Sequence, residues 1–245
     1  MASAKDIVIK PISAKAANEL VKRVHYSGSH TQNSQLHFGA FYKGKLEGAM
    51  QFGPPIDRRK VLPLVADTEW NNMIELNRMA FSDVLPRNSE SRAMAVAFRM
   101  IKKHYPHIEW VLSFSDGCQC GDGTIYRASG FVLTGIKKNS TIVRLADGTV
   151  TASHGTSKHD FTGAERLQGY QLRYIYFLNP AARLRLTVPI LPFSKIDEMG
   201  AGMYKGESIK RDTKATTSDQ LVGGGAIPTI TLHSPCAASK KKNEA

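Results

Sequence analysis

Leu85–Phe98 reads LPRNSESRAMAVAF. Pro86 closes whatever precedes it, and Met94, Phe98 and then Ile101 recur at helical spacing until Pro106 stops the run. The helix therefore begins at Asn88 or Ser89. A helix mouth leaves four backbone N–H groups without intrahelical partners and carries partial positive charge. Asn88 or Ser89 is expected to cap one donor, Ser91 offers a hydroxyl, and Arg87 and Arg92 add full charges on either side. This combination suits a phosphate or another anion. The competing reading is an ordinary capped helix, in which Glu90 already complements the dipole.

Working outward, Met73–Phe81 (MIELNRMAF) and Ile108–Ser115 (IEWVLSFS) read as strands on either side of this helix. Upstream, Ala17, Leu20, Val21 and Val24 share one face of a helix capped by Ser13. Leu36–Phe52 alternates on both sides of Lys43-Gly44 and reads as a hairpin, closed by Pro54-Pro55. Downstream, Asp122–Ser129 is a short helix ended by Gly130. Thr141–Thr151 is a second hairpin turning at Asp147-Gly148, and Tyr170–Leu178 is an aromatic-rich strand. Beyond Ser194 the periodicity is lost, so residues 1–194 are expected to form one catalytic domain and 195–245 a flexible basic tail, with 228–233 too short to assign firmly as a strand.

The 245 residues carry 33 Lys and Arg against 21 Asp and Glu, a net +12. Only +2 of this falls beyond Ser194, so the core-forming part is itself basic at +10. A basic folded domain points to a polyanion, nucleic acid before an acidic cofactor; a basic protein without such a partner is the plain alternative. No apolar run is long enough to span a bilayer, and the first residues lack a secretory pattern. Three cysteines do not make a disulfide framework, so a soluble protein in a reducing, cytoplasmic setting is expected. Cys118-Gln119-Cys120 has His104, His107, His154 and His159 in the same half of the chain but no second matched pair, and no metal site is assigned.

Within the strand Met73–Phe81, Arg78 shares parity with Ile74, Leu76 and Ala80 and so is expected on the apolar face, paired with Asp116 at the end of the next strand. At a sheet edge it would reach water instead. His25, Tyr26, Asp116 and Tyr126 each stand at the end of an element or beside a loop, where side chains can converge on a cleft. Histidine and aspartate move protons, and tyrosine donates a hydrogen bond or stacks on a base. A tyrosine on a short helix such as Tyr126 is also a common core residue.

The element order, with PRNSESR at 86–92 and Tyr126-Arg-Ala-Ser-Gly130-Phe131, resembles the GNAT acyltransferase fold, which implies an α/β (α+β) chain with a mixed central sheet flanked by helices. HYS at 25–27, ELNRMAF at 75–81, LPRNSESR at 85–92, SFSDG at 113–117, IYRASGF at 125–131 and YIYFLNPAARLRLTVPILPF at 174–193 further resemble the Mom family of phage DNA-modification proteins, over roughly Lys10–Phe193. That resemblance implies a transferase that converts adenine in double-stranded DNA to its N6-carbamoylmethyl form in the bacterial host, protecting phage DNA from restriction. It implies Asp116, Tyr126 and Tyr26 as catalytic residues with His25 beside them. Arg78 and Ser91 would hold the donor at the helix mouth of Arg87, Asn88, Ser89 and Arg92.

An acetyl group on N6 would give N–CO–CH3, one nitrogen short of the product N–CH2–CO–NH2. An activated glycine such as glycyl-tRNA supplies both carbons and that nitrogen, and makes tRNA a second nucleic-acid partner. Acetyl-CoA is the donor the fold alone suggests, and an iron-dependent route stays open. Two other readings stand beside this one: a GNAT acetyltransferase acting on a protein or small amine, and a basic nucleic-acid-binding protein without catalysis.

Overall fold

The computed structural model describes residues 2–116, 123–153, 160–204 and 206–208. Cys118, Cys120, His154 and His159 lie outside these, as does the expected tail from residue 209 on, with its 228–233 segment. In chain order the elements are Val8–Pro11 (β1), Ala14–Val24 (α1), Leu36–Tyr42 (β2), Lys45–Gly53 (β3), Arg58–Val61 (α2), Met73–Phe81 (β4), Ser89–His104 (α3), Trp110–Asp116 (β5) and Thr124–Ala128 (α4). Val132–Asn139 (β6), Ile142–Arg144 (β7), Val150–Ala152 (β8), Glu165–Arg166 (β9), Gly169–Phe177 (β10), Ser194–Glu198 (α5), Met203–Tyr204 (β11) and Glu207–Ser208 (β12) come next.

Seven strands form one mixed sheet in the order β1-β2-β3-β4-β5-β10-β6, antiparallel except where β4 meets β5. The mixed central sheet flanked by helices is the expected one. Two helices cover its faces because their apolar stripes match them. Ser13 Oγ accepts the Ala16 N–H at 3.2 Å to start α1, whose Ala17, Leu20 and Val21 pack on Ala49 and Ala80. On the opposite face Ala93, Met94, Ala97, Phe98 and Ile101 of α3 fill a core with Phe52, Leu76, Val111, Phe131 and Tyr174. The folded part continues past Ser194: α5 buries Ile196, and Ala201 and Met203 are buried beyond it.

Two irregularities of the sheet fix where side chains can converge. The parallel pairing of β4 and β5 runs only from Met73–Trp110 to Glu75–Leu112, after which the two strands part. And β4 carries a bulge: Leu76 faces Phe52 and Arg78 faces Gln51, leaving Asn77 as the extra residue. One added residue reverses the alternation, so Arg78 does not share a face with Ile74 and Leu76 as its sequence parity implied. It lies instead on the side of Gln51, whose amide donates to Asn18 of α1 at 2.7 Å.

Candidate active site

Beyond Glu75 and Leu112 the facing edges of β4 and β5 no longer pair with each other, and Tyr126 of α4 reaches the β5 side of that gap. Gly123 introduces α4 with φ +72°, and a Cβ there would collide with the Tyr174 hydroxyl, so both the turn and the close approach demand glycine. Tyr126 on α4 stacks on Tyr174 with ring centroids 4.4 Å apart, and Tyr174 in turn stacks on Phe193. Its hydroxyl accepts from Ser113 Oγ at 2.9 Å and donates to the Phe114 carbonyl at 3.2 Å. Burial, reinforced by the charges of Asp116 and Glu75 and opposed by the Ser113 bond, pushes this phenol up to about 12. At neutral pH it keeps its proton: it can give one but not take one.

Glu75, the last β4 residue paired with β5, is the acid that sequence reasoning missed as a site residue. Burial raises its carboxyl to about 7, offset in part by a hydrogen bond with Asn77 and by the charge of Arg78. Asn77 is fixed by the Ser34 hydroxyl, which donates to its Oδ1 at 3.2 Å. That loop can lie so close because residue 53 is glycine; a Cβ there would stand 2.5 Å from the Asn33 carbonyl and 2.7 Å from Asn77 Oδ1. A lone acid between Ile74 and Leu76 was the available sequence signal, but its meaning depends on where β5 departs.

Arg78 donates to the Ser29 carbonyl at 3.2 Å and to the Asn77 carbonyl at 2.8 Å. Its expected ion pair with Asp116 is not formed among the described residues; the acid coupled to it is Glu75, because the bulge turns it toward the Ser29 loop. That loop also brings His25 and Tyr26, their rings 4.3 Å apart. Desolvation and then the charge of Arg78 lower His25 to about 3, and its Nδ1 meets Ser27 Oγ at 2.8 Å. The ring is therefore neutral at physiological pH. Nitrogen chemical shifts of His25 should accordingly show no protonation between pH 5 and 8, and no limb of a pH–rate profile should vanish in His25→Asn.

The structure thus links His25, Arg78, Glu75, Tyr126 and Asp116 through charge, with Tyr26 beside His25. Among the described residues, the serines at the mouth of α3 bond locally instead. Asn88 adopts φ +68° and makes no side-chain cap; Ser89 Oγ donates to the Pro86 carbonyl at 2.5 Å and Ser91 Oγ to the Asn88 carbonyl at 3.2 Å. The expected capping by Asn88 or Ser89 therefore fails, because a left-handed Asn88 already turns the chain and the serines bond backward. Glu90 turns to its own amide, while burial raises its carboxyl. What remains toward an anion is charge: Arg87 is exposed, and Arg92 Nε is buried without a hydrogen-bond partner among the described residues. Ser115 Oγ, on β5, is likewise buried and unpartnered among them. Among the described residues no group of three His, Cys, Asp or Glu side chains is gathered to hold a metal ion. No helix among them is long and apolar enough to cross a membrane.

Residues 6–195 match the model of the Mom protein family. Over 199 residues the chain is 36% identical to the methylcarbamoylase Mom of Escherichia phage Mu, covering 76% of this chain and 81% of that protein. Among solved structures, the ribosomal-protein-S18-alanine N-acetyltransferase of Escherichia coli overlays with a TM-score of 0.44 at 11% identity, over 71% of this chain and 94% of that one. FeeM, an N-acyl amino acid synthase from uncultured soil microbes, gives 0.45 at 16% identity, over 74% and 95%.

Proposed function

Because the chain belongs to the Mom protein family, we propose that it is a transferase that converts adenine in double-stranded DNA to N6-carbamoylmethyladenine. The observation that carries this reading is the family match itself, whose span of residues 6–195 takes in every residue of the site. The basic charge of the chain supplies salt-sensitive, sequence-tolerant contact with phosphates. The target adenine leaves the stack to reach the site.

The donor is an activated glycyl ester, glycyl-tRNA in the form we favour. Adenine N6 attacks the ester carbonyl as Glu75 takes its proton, with Asp116 orienting the amino group. The C–O bond breaks, and Tyr126 protonates the departing hydroxyl. This leaves N6–CO–CH2–NH2. The free amine then attacks C6, closing a five-membered ring through C6, N6, the carbonyl carbon, the methylene and the amine nitrogen. Rupture of the original C6–N6 bond opens it to C6–NH–CH2–CO–NH2, with no other reagent consumed. Arg78 holds the ester carbonyl oxygen, and Arg92 with Arg87 meets the donor's phosphate beside Ser91. His25, neutral, backs Tyr26, whose exposed ring receives the extruded base.

Nucleosides from the DNA of cells that express the chain and are fed glycine labelled in both carbons and nitrogen test this scheme. Mass spectrometry should show all three labels in the modified adenine, with the labelled nitrogen bonded to C6, and no adduct with Asp116→Ala. An unlabelled adduct would overturn the glycyl donor and favour acetyl-CoA with a separate nitrogen source. No adduct at all would overturn the function.

A further inference from the structure

Gly53 ends β3 opposite Glu75, and the chain then runs through Pro54-Pro55-Ile56 into α2. Ile56 is 98% exposed, the most exposed large hydrophobic side chain among the described residues. Its mount is rigid. Two prolines fix the backbone, Pro55 is buried, and the Pro54 carbonyl accepts from Asn33 Nδ2 at 2.7 Å. Arg58 is fastened as well, donating to the Trp70 carbonyl at 2.8 Å with its guanidinium 4.8 Å over the Trp70 ring. Asp57 is neutralised by Lys60 at 2.8 Å, and Arg59 is exposed, so the surroundings of Ile56 present net positive charge. Beside it opens a cavity of about 530 Å³, lined by Gln35, Ile56, Arg58, Trp70 and Asn71 among others; none of the catalytic candidates lines it.

The apolar surface here, Ile56 on its stiff stalk with the part-exposed Trp70 under Arg58, is narrow and flanked by Arg58 and Arg59, and so does not suit a protein partner, which needs a broad apolar patch. It suits a duplex. Apolar wedges enter between base steps while neighbouring cations bind the backbone, and the filled gap offsets the unstacking of an extruded base. Three residues span at most roughly 11 Å of chain, so Ile56 stands within that reach of Gly53, the cross-strand partner of Glu75.

We propose that Ile56 is the intercalating wedge with which the chain engages double-stranded DNA, entering the stack beside the adenine delivered to the Glu75–Tyr126 cleft. This rests on the function proposed above. The purified full chain is titrated into duplexes carrying 2-aminopurine in place of the target adenine, in several sequence contexts. Wild type should raise the fluorescence as the base leaves the stack, and Ile56→Leu should do the same. Ile56→Ala should lower the fraction of bound duplex with an extruded base by about tenfold or more, since unstacking is no longer offset. A duplex with an abasic site opposite the 2-aminopurine should restore Ile56→Ala. Because the side chain is exposed, the substitution should leave the melting temperature unchanged.

Equal fluorescence for wild type and Ile56→Ala, or none for wild type bound to DNA, would overturn the wedge. The adenine adduct in cellular DNA separates the two readings. No adduct with wild type sinks the proposed function, whereas equal adduct with wild type and Ile56→Ala sinks the wedge alone.

Discussion

A Glu75→Gln chain is expected to modify adenine about 10²–10⁴-fold more slowly than wild type, the range lost when a positioned general base is removed. Wild type should gain activity as pH rises through about 7, because the carboxyl that burial has raised from 4.5 must ionise to accept the proton. The variant should show no such limb. Stability should move the other way. A group with a raised folded pKa contributes stability that is complete below its unfolded value and lost as pH climbs through the folded one. Wild type therefore carries a desolvated carboxylate above neutral pH that glutamine does not, and the variant should be more stable there by about 2–3 kcal/mol. Denaturant melts at pH 5 and pH 8 would show the gain at the higher pH alone. Wild-type activity in a chain equally stable at both would remove Glu75 from the mechanism.

Tyr126→Phe is expected to cost a similar factor in rate with a different signature. The phenol is held near 12, so across the working range it remains a proton donor and the loss should not depend on pH. Phenylalanine keeps the stack on Tyr174, worth about 0.5–1.5 kcal/mol beyond the area it buries. It leaves the Ser113 hydroxyl without its acceptor, at about 1–3 kcal/mol. Tyr126→Ala would lose the ring as well, at about 3–5 kcal/mol, and would confuse folding with catalysis. A folded Tyr126→Phe chain that binds DNA with the wild-type salt dependence yet forms no adduct assigns the hydroxyl to the chemistry. Near-normal adduct would make Tyr126 a core residue only.

The two main helices were legible because their apolar residues repeat with the right period: Ala17, Leu20 and Val21 on α1, and Met94, Phe98 and Ile101 on α3, are all buried, whereas the four-residue edge strand β1, with no buried residue, carries no such pattern. His25, Tyr26, Asp116 and Tyr126 were legible as residues beside loops. The surroundings of Arg78 were not. Leu76 and Ala80 are apolar on either side of the bulge, so an extra residue at Asn77 leaves no trace in the pattern, yet it carries the guanidinium to the other face. Glu75 was hidden for a related reason. Its desolvation comes with strands brought together across 37 residues of chain, Glu75 to Leu112, which no local period records. The α3 mouth was read as a row of side-chain donors, but a backbone conformation as unusual as φ +68° at Asn88 decides where Ser89 and Ser91 point.

The separation of β4 from β5 bears on mutagenesis. Beyond Glu75, among the described residues, the amide and carbonyl groups along that side of β4 have no rung to complete with β5. Any grip they exert on a bound molecule belongs to the peptide itself. Alanine scanning would pass over such contacts, since every amino acid but proline brings the same amide. Amide-to-ester replacement at single positions, or a one-residue deletion that makes the ladder regular again, would bring them to light.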